Sequence, residues 1–269
     1  MSNGLADRTQ DHAPLAGRHA LVTGAGSGIG EATAFELARL GATLTLVGRR
    51  AAPLGATLER LAGDGHGIAV ADITDAAAVR TAFDGAVAAR GPIGILINNA
   101  GAAKSAPFGK TDVALWNEML AVNLTGTYHC IQAVLGGMQT AGWGRIVNVA
   151  STAGLAGYAY VAAYCAAKHG VIGLTRALAL EVAKQGITVN AVCPGYTDTP
   201  LIEGAVDNIV AKTGRGSDEA KAILALRNPQ GRLVQPVDVA RTVGWLCLPG
   251  SDAIHGQAIA VAGGEVMCG

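Results

Sequence analysis

His19-Ala-Leu-Val-Thr-Gly-Ala-Gly-Ser-Gly-Ile-Gly30 is the stretch of this sequence that decides the fold. Its first five residues form a short apolar run typical of a buried strand, and a helical apolar pattern starts at Gly28. Glycines between a strand and a helix permit a tight turn and bring the backbone close to a phosphate, while the helix N-terminus adds free N–H groups. The spacing differs from the G-x-G-x-x-G fingerprint, so the position between strand and helix is what favours a nucleotide site. The predicted contacts are Gly24, Ser27, Gly28, Ile29 and Gly30.

The same alternation of strand and helix continues along the chain. Predicted strands are residues 19–23, 43–47, 67–71, 93–97, 145–150, 188–192 and 257–261. Predicted helices are residues 28–40, 75–90, 112–140, 164–184 and 237–248, with one more around Leu54, Leu58 and Leu61. Strands that are apolar throughout are buried on both faces, as in parallel sheets joined by right-handed crossovers. We therefore predict an α/β fold, a doubly wound parallel sheet of about seven strands with helices on both faces.

The sequence indicates one domain. It contains no internal repeat and no Pro/Gly linker, so we predict a flexible tail at residues 1–16 and a single domain over residues 17–269. One region, residues 199–235, breaks the rhythm, because it contains Gly214-Arg-Gly-Ser-Asp218 and no predicted strand. We predict that it forms a mobile flap over the site.

Charge and cysteine usage exclude several classes of function. Twenty basic and twenty acidic residues give a formal net charge of zero, which is not the signature of a protein that binds nucleic acid or an anionic membrane. No apolar run reaches the roughly 18 residues that cross a bilayer, and the N-terminus lacks the apolar core of a secretion signal. The five cysteines are widely spaced without a C-x-x-C pair, which favours reduced thiols in a cytoplasmic protein and no metal site. A small molecule is the expected partner.

The end of the second predicted strand, Val47-Gly-Arg-Arg50, bears on the choice of nucleotide. An acid at this place binds the ribose hydroxyls of NAD, whereas an arginine accommodates the extra phosphate of NADP. Arg49 supplies a planar cationic fork suited to phosphate, and Gly48 leaves room for it. The alternative is that Arg49 and Arg50 are solvated residues that start the next helix. The sequence favours NADP, with NAD as the alternative cofactor.

Three polar residues are expected at one edge of the sheet. Ser151 follows the fifth predicted strand, and Tyr164 and Lys168 share one face of the next helix because they are four residues apart. The carboxyl ends of parallel strands form the edge where open α/β sheets bind ligands. Cys165 is a weaker candidate for chemistry, because neighbours on a helix point in different directions.

Together these motifs resemble the short-chain dehydrogenase/reductase family over residues 15–264. In order they are Thr23-Gly-x-x-x-Gly-Ile-Gly30, Asn98-Asn-Ala-Gly101, Asn123, Ser151, Tyr164-x-x-x-Lys168 and Pro194-Gly195. The resemblance implies an NAD(P)-dependent enzyme that interconverts a ketone and a secondary alcohol by hydride transfer. It implies that Tyr164 moves the proton, Ser151 binds the substrate oxygen, and Lys168 holds the nicotinamide ribose. It also implies that Asn123 helps to place a water that links Lys168 to solvent.

A free tyrosine has a pKa near 10, and we expect Lys168 and the positively charged oxidised nicotinamide to lower the pKa of Tyr164. The resemblance implies further cofactor contacts away from the reacting atoms. Asp72 would meet the adenine ring with Ile73 beside it, while Asn98 would stabilise the centre of the sheet. The remaining implied contacts are Asn99, Ala100, Gly101, Pro194, Gly195, Thr197 and Thr199, the last at the nicotinamide carboxamide.

The substrate is less well specified. Residues 153–163 are uncharged and mostly apolar, which argues against a multiply charged group at the reacting centre. Residues 169–200 and 228–232 resemble bacterial 3-ketoacyl and polyketide ketoreductases and 3-hydroxybutyrate dehydrogenases, which implies a β-keto or β-hydroxy acyl substrate. A distal carboxylate or CoA phosphate would have three candidate partners that are otherwise ordinary surface charges, namely Lys104, Arg215 and Arg227.

Two alternatives stay open. One is an NAD-dependent 3-hydroxy acid or polyol dehydrogenase, and the other is a non-catalytic nucleotide-binding regulatory protein on the same fold. Residues 124–135 and 171–182 are apolar on more than one side of their helices. With the resemblance, this implies a homotetramer or a homodimer.

Overall fold

The computed structural model describes residues 13–267, and its centre is one sheet of seven parallel strands. They are β1 His19–Thr23, β2 Thr43–Gly48, β3 Gly67–Val70, β4 Ile93–Asn98, β5 Gly144–Val149, β6 Ile187–Pro194 and β7 Ala258–Val261. The strand order is β3-β2-β1-β4-β5-β6-β7. The chain builds the sheet outward from β1 in one direction and then, from β4, in the other. The predicted doubly wound parallel sheet is confirmed.

Helices cover both faces of this sheet. Within the described residues they are α1 Gly28–Arg39, α2 Ala51–Leu58, α3 Ala76–Arg90, α4 Val113–Leu120, α5 Gly126–Ala141, α6 Ala162–Val182, α7 Pro200–Thr213, α8 Ser217–Ala225 and α9 Pro236–Cys247. Leu21 and Val22 are neighbours on β1 and therefore point to opposite faces. Val22 packs in one buried cluster with Leu37 of α1, and Leu21 packs in a second cluster with Phe83 of α3.

The sheet order places a ligand crevice at the carboxyl ends of β1 and β4. These strands are neighbours, and the chain leaves them toward opposite sides of the sheet, which opens a crevice between the two connections. Next to it, the buried Asn98 side chain donates to Asn148 Oδ1 at 2.9 Å, and Asn148 Nδ2 donates to Thr175 Oγ1 of α6 at 2.9 Å. Asn98 thus lies at the sheet centre, where the resemblance implied it.

Some predicted helix boundaries were wrong. The predicted helix at residues 112–140 is interrupted, because a π-helical turn at Ala121–Thr125 separates α4 from α5. A single wide turn leaves the apolar periodicity almost unchanged, so the sequence carries no signal for it. The helix around Leu54 ends at Leu58, which leaves Leu61 beyond it.

The predicted mobile flap and the end of the predicted flexible tail both contain packed structure. Residues 199–235 form no strand but hold α7 and α8, and their end returns to the sheet edge through a bridge between Thr197 and Val234. The predicted mobility of this flap stays a prediction. Leu15, which the sequence placed in the tail, is fully buried, and its N–H donates to the Leu40 carbonyl at 2.9 Å. The packed domain includes Leu15, and residues 1–12 of the predicted tail lie outside the described residues.

The described cysteines, Cys130, Cys165, Cys193 and Cys247, are free thiols, while Cys268 lies outside the described part of the chain. Over residues 13–267, none of the helices combines the length and the apolar character that a membrane span requires. The cytoplasmic location stays a prediction.

Candidate active site

The loop after β1 has the shape and the donors that a dinucleotide needs. Gly24 and Gly28 have φ angles of 66° and 58°, which favour glycine. A Cβ at Gly24 would lie 2.9 Å from the Ala100 Cα, so the loops after β1 and β4 approach each other too closely for a larger residue. α1 begins at Gly28, and its N-cap residue Ser27 makes no side-chain capping hydrogen bond. The N–H groups of its first turn and its dipole therefore suit a pyrophosphate.

Asn99 fixes the shape of this loop. Its Nδ2 donates to the carbonyl oxygens of Thr23 at 3.0 Å and Gly24 at 3.2 Å. In return, Thr23 Oγ1 accepts hydrogen bonds from the N–H groups of Asn99 and Ala100, both at 3.0 Å. The predicted cofactor residues Asn99 and Ala100 therefore join the loop after β4 to the loop after β1.

The ends of β2 and β3 carry a second set of predicted cofactor residues. Arg49 is exposed and makes no hydrogen bond or ion pair with the described side chains, those of residues 13–267 other than 208 and 212. Asp72 Oδ1 accepts from Thr74 N at 2.9 Å and Thr74 Oγ1 at 2.8 Å. The backbone hydrogen bond from Thr74 is the main cause that lowers the pKa of Asp72, and Arg49 adds to it. The side chain of Ile73, beside Asp72, is buried against Gly126 of α5, and its contact with the adenine stays a prediction.

Ser151, Tyr164 and Lys168 meet at the carboxyl end of β5, as predicted. Ser151 begins a 3-10 turn at Thr152–Gly154, and its Oγ accepts from Ala153 N at 3.1 Å. Gly154 lets this turn press against α6, since a Cβ there would lie 2.7 Å from the Lys168 carbonyl oxygen. Ser151 is close enough to the Tyr164 hydroxyl to act on its pKa, and Lys168 Nζ lies 5.7 Å from the centroid of the Tyr164 ring.

Burial controls the titration of this pair. It raises the pKa of Tyr164 to about 12, against the opposing effect of the hydrogen bond with Ser151. It also lowers the pKa of Lys168 to about 8, although Nζ keeps a hydrogen bond of 2.9 Å to the Val149 carbonyl. In the protein alone the pKa of Tyr164 is raised, because its desolvation outweighs the interaction with Ser151 that favours the phenolate. The charge of the oxidised nicotinamide is the other group expected to favour the phenolate.

Asn123 lies in the π-helical turn and points into the site. Its Nδ2 donates to the carbonyl oxygens of Ala102 at 2.9 Å and Met119 at 3.0 Å, and its Oδ1 accepts from Ala102 N at 3.2 Å. A Cβ at Gly101 would lie 2.7 Å from Asn123 Oδ1, so the glycine leaves room for this amide. The side chain of Asn123 is therefore committed to holding the loop after β4.

One cavity of about 550 Å³ joins these parts. Its wall contains the predicted residues Asn99, Gly101, Asn123, Ser151, Tyr164, Lys168, Pro194, Gly195, Thr197 and Thr199. The flap closes one side with Ile202 and Ala205 of α7. The flap also touches the glycine loop, because a Cβ at Gly28 would lie 3.0 Å from Thr199 Cγ2. The cavity thus lies between the dinucleotide loop and the flap.

The three basic residues proposed for a distal anion are separated. Lys104 lines the cavity and pairs with Glu118 at 2.7 Å, and Arg215 pairs with Glu219 at 3.5 Å on the surface. The Arg227 guanidinium lies 5.0 Å from the ring centroid of Tyr158, a cavity residue. Arg227 thus reaches a cavity side chain and, among the side chains that the structure describes, forms no ion pair.

The sequence did not predict a polar network behind the cavity wall. The Tyr158 hydroxyl lies 2.9 Å from Thr152 Oγ1 and 2.8 Å from Glu265 Oε1. Glu265 comes shortly after β7, beyond Gly263 and Gly264, which both have positive φ angles. The glycine pair indicates a turn, but no pattern in the sequence shows that the turn leads to the cavity.

A doubly wound sheet with a dinucleotide loop and a serine–tyrosine–lysine cluster in one cavity defines a nucleotide-dependent oxidoreductase. Residues 18–209 match a family model described as short chain dehydrogenase. A Streptomyces violaceoruber protein named as ketoacyl reductase 1 of the granaticin polyketide synthase is 39% identical over 98% of both chains. The D-beta-hydroxybutyrate dehydrogenase of Cupriavidus necator is 38% identical over 94% of this chain and 99% of the relative.

A solved structure agrees with these matches. A single-residue variant of the actinorhodin polyketide ketoreductase with NADPH superimposes with a TM-score of 0.89 at 39% identity, over 92% of this chain and 97% of the other. The chain therefore belongs to the short-chain dehydrogenase family. It is a nicotinamide-dependent oxidoreductase that acts on a CH–OH group or the corresponding ketone. The alternative of a non-catalytic binding protein is set aside.

Proposed function

We propose that this protein is an NADP-preferring ketoreductase that reduces a β-keto acyl compound to the β-hydroxy product and can run the reverse oxidation. The observation that carries the proposal is the single cavity in which Ser151, Tyr164 and Lys168 meet beside the glycine loop. When bound, the nicotinamide supplies or accepts the hydride.

Tyr164 is assigned as the acid in reduction and the base in oxidation. With a pKa of about 12 its phenol is protonated at neutral pH, so it can donate to the substrate oxygen as negative charge develops there. Ser151 Oγ already accepts from Ala153 N, which directs the Ser151 proton into the cavity. There it hydrogen-bonds the same oxygen and stabilises the developing charge.

Lys168 is assigned to the ribose of the cofactor. Lys168 and Asn123 of the π-helical turn are assigned to a water that carries protons to solvent. One hydrogen of Lys168 Nζ binds the Val149 carbonyl, so two remain for ribose hydroxyls and a water. The main-chain carbonyl of Asn123 accepts from Thr127 Oγ1 at 3.2 Å and has a second lone pair. We assign that lone pair to the water that links Lys168 to solvent, because the Asn123 side chain is already committed.

The remaining cofactor contacts follow the loops at the sheet edge. The first turn of α1, with Ser27, Gly28, Ile29 and Gly30, is assigned to the pyrophosphate. Asp72 is assigned to the adenine and Ala100 with Gly101 to the adjoining backbone of the cofactor. The nicotinamide side comprises Pro194, Gly195, Thr197 and Thr199.

The preference for NADP rests on Arg49. Its guanidinium is exposed, lies near Asp72 and has no ion-pair partner in the described part of the chain, so it can bind a ribose phosphate. The Arg49→Ala variant should lose roughly tenfold to a hundredfold in kcat/KM with NADPH, mainly through KM, and little with NADH. Arg80→Ala, an exposed arginine on α3, is the matched control. Comparable kcat/KM of the wild type with both cofactors, or a higher value with NADH, would contradict the preference for NADP.

A β-keto acyl substrate is supported by the relatives and by the cavity. The relatives are named as a polyketide ketoacyl reductase and a D-beta-hydroxybutyrate dehydrogenase. The cavity wall includes the apolar side chains of Leu115, Ala153, Val161 and Ile202, which suit an acyl chain. A panel of β-keto esters, cyclic ketones, 3-hydroxy acids and polyols, assayed by nicotinamide absorbance, tests this. Highest kcat/KM for polyols or 3-hydroxy acids with NAD would support the alternative dehydrogenase.

We also propose that the enzyme assembles as a homotetramer or a homodimer. Large apolar side chains are exposed on consecutive helices, Trp116 on α4, Tyr128 on α5 and Leu180 on α6, the last 83% exposed. A second copy of the chain would remove them from water. Light scattering that gives the mass of one chain at assay concentration would contradict this assembly.

A further inference from the structure

The cavity wall at Tyr158 has a carboxylate directly behind it. The Tyr158 hydroxyl lies 2.8 Å from Glu265 Oε1 and 2.9 Å from Thr152 Oγ1. Because a carboxylate can only accept, the Tyr158 proton points to Glu265, and the Thr152 hydroxyl donates to the Tyr158 oxygen. Burial raises the pKa of Tyr158 to about 12, so the phenol keeps this proton at neutral pH.

The backbone holds Glu265 in this place. A Cβ at Gly195 would lie 2.8 Å from Glu265 Oε2, so the glycine that follows β6 makes room for the carboxylate. Gly263 and Gly264, with φ angles of 60° and 95°, turn the chain after β7 back toward Gly195. Glu265 therefore contacts both loops that line the reacting end of the cavity.

The charge of Glu265 has no partner of its own. Glu265 forms no ion pair with the side chains that the structure describes, which are those of residues 13–267 apart from 208 and 212. Among the described residues, the charged side chains in the cavity wall are Lys168 and Lys104, the latter paired with Glu118, and Arg227 lies over the Tyr158 ring. The negative charge of Glu265 therefore acts on a ligand in the cavity from its position behind Tyr158. The positive charge of Arg227 partly cancels this effect.

We propose that the Tyr158–Glu265 pair makes the cavity select neutral β-keto acyl compounds, such as esters and thioesters, over the corresponding free acids. This inference rests on the proposed function. The carboxylate of a free β-keto acid is two bonds from the reacting carbon, so it must enter the cavity with the ketone. At separations of about 8–12 Å and an effective dielectric constant of about 20, repulsion between Glu265 and that carboxylate corresponds to roughly tenfold to thirtyfold in kcat/KM.

The experiment compares acetoacetate with its ethyl ester at saturating NADPH and neutral pH. The quantity measured is the ratio of kcat/KM for the acid to kcat/KM for the ester, so that effects of a variant on catalysis in general cancel. Glu265→Gln keeps an acceptor for Tyr158 and removes the charge, so it should raise the ratio about tenfold. Arg227→Gln should lower the ratio, because it removes the opposing charge. Glu59→Gln, at the exposed end of α2, is the matched control and should leave the ratio unchanged.

Two results would overturn the inference in distinguishable ways. If the wild type reduces the ester but Glu265→Gln changes the ratio by less than twofold while its thermal unfolding is normal, the selection is wrong and the proposed function stands. If the wild type reduces neither compound nor any other β-keto ester with NADPH or NADH, the proposed function fails, and the inference fails with it.

Discussion

The two ends of the sheet bury polar side chains with different consequences. At the amino ends of the strands, His19 bonds the Gly91 carbonyl and Thr45 Oγ1, each at 2.8 Å, and Arg145 has no exposed surface. At the carboxyl ends, Tyr164 and Lys168 are desolvated as well, but they line a cavity. A buried polar group stabilises the fold where the protein bonds it, as at His19 and at Arg145, whose Nε alone finds no partner among the described residues. It serves chemistry where donors remain for a ligand.

The largest expected effect is at the carboxyl end. Tyr164→Phe should lower kcat by about a thousandfold, because it removes the proton donor. The free energy of unfolding should change by less than about 1 kcal/mol, since only one hydroxyl is lost. Steady-state assays, NADPH binding by fluorescence and urea denaturation measure the three quantities. Tyr128→Phe on α5 is the control, and turnover of Tyr164→Phe within tenfold of the wild type would refute the assigned mechanism.

At the amino end of the sheet we expect a large loss of stability with little change in kcat. Arg145 donates to the Gly144 carbonyl at 3.0 Å, pairs with Asp252, and lies 4.6 Å from the Trp143 ring centroid. Arg145→Ala should therefore lower the free energy of unfolding by about 2–4 kcal/mol in urea denaturation. It should change kcat less than threefold, because this end does not touch the cavity.

Arg176→Ala, on the exposed face of α6, is the control for Arg145→Ala and should be close to neutral. If Arg145→Ala is as stable as the wild type but slow, the contrast between the two ends is wrong.

The sequence predicted what depends on short-range pattern. Apolar periodicity gave the strands and helices, and the fixed spacing of Tyr164 and Lys168 predicted their shared face. Glycine spacing after β1 predicted the dinucleotide loop. These signals are local, because strand, turn and helix preferences are set within a few residues.

Features that depend on contacts between distant segments were not predicted. Glu265 meets Tyr158 across 107 positions of the chain, and Arg145 meets Asp252 across the same number. Arginines are ordinarily found at the protein surface, and the residues next to Arg145 do not indicate that it is completely buried. The raised pKa of Tyr164 likewise follows from packing around it rather than from its neighbours in sequence.

A smaller effect on stability is expected at Lys168, which is buried like His19 and Arg145 but also lines the cavity. Burial lowers its pKa from 10.5 to about 8, so its charged form is disfavoured in the fold. Its stability contribution is complete above about pH 10.5 and is lost as the pH falls through about 8. At pH 7, Lys168→Met should therefore be more stable than the wild type by about 1–2 kcal/mol, less than the roughly 3 kcal/mol of the shift because the bond to Val149 is lost.

The measurement for Lys168→Met is the free energy of unfolding at pH 7 and again near pH 10, where the gain should shrink. Lys184→Met, an exposed lysine after α6, is the control. A variant less stable than the wild type at pH 7 would show that Lys168 stabilises the fold, as the residues at the amino end do.

The smallest expected effect concerns His19. The Gly91 carbonyl can only accept, so Nδ1 carries the proton and Nε2 accepts from the Thr45 hydroxyl. Burial is the main cause that lowers the pKa of His19 below 6.5, against the bond to Gly91 and together with the charge of Arg90. The contribution of neutral His19 to stability is therefore complete above about pH 6.5 and is lost as the pH falls through the lower folded value.

The His19→Gln variant keeps one donor and one acceptor but does not titrate. It should be about 1 kcal/mol less stable than the wild type at pH 7.5, and the difference should close as the pH falls to 5. Urea denaturation at several pH values measures this. A difference that does not depend on pH would mean that His19 acts through packing alone. If the stability difference between the wild type and His19→Gln disappears at low pH, the fold requires a neutral His19. The reason is that both ring nitrogens of His19 are already bonded to the protein.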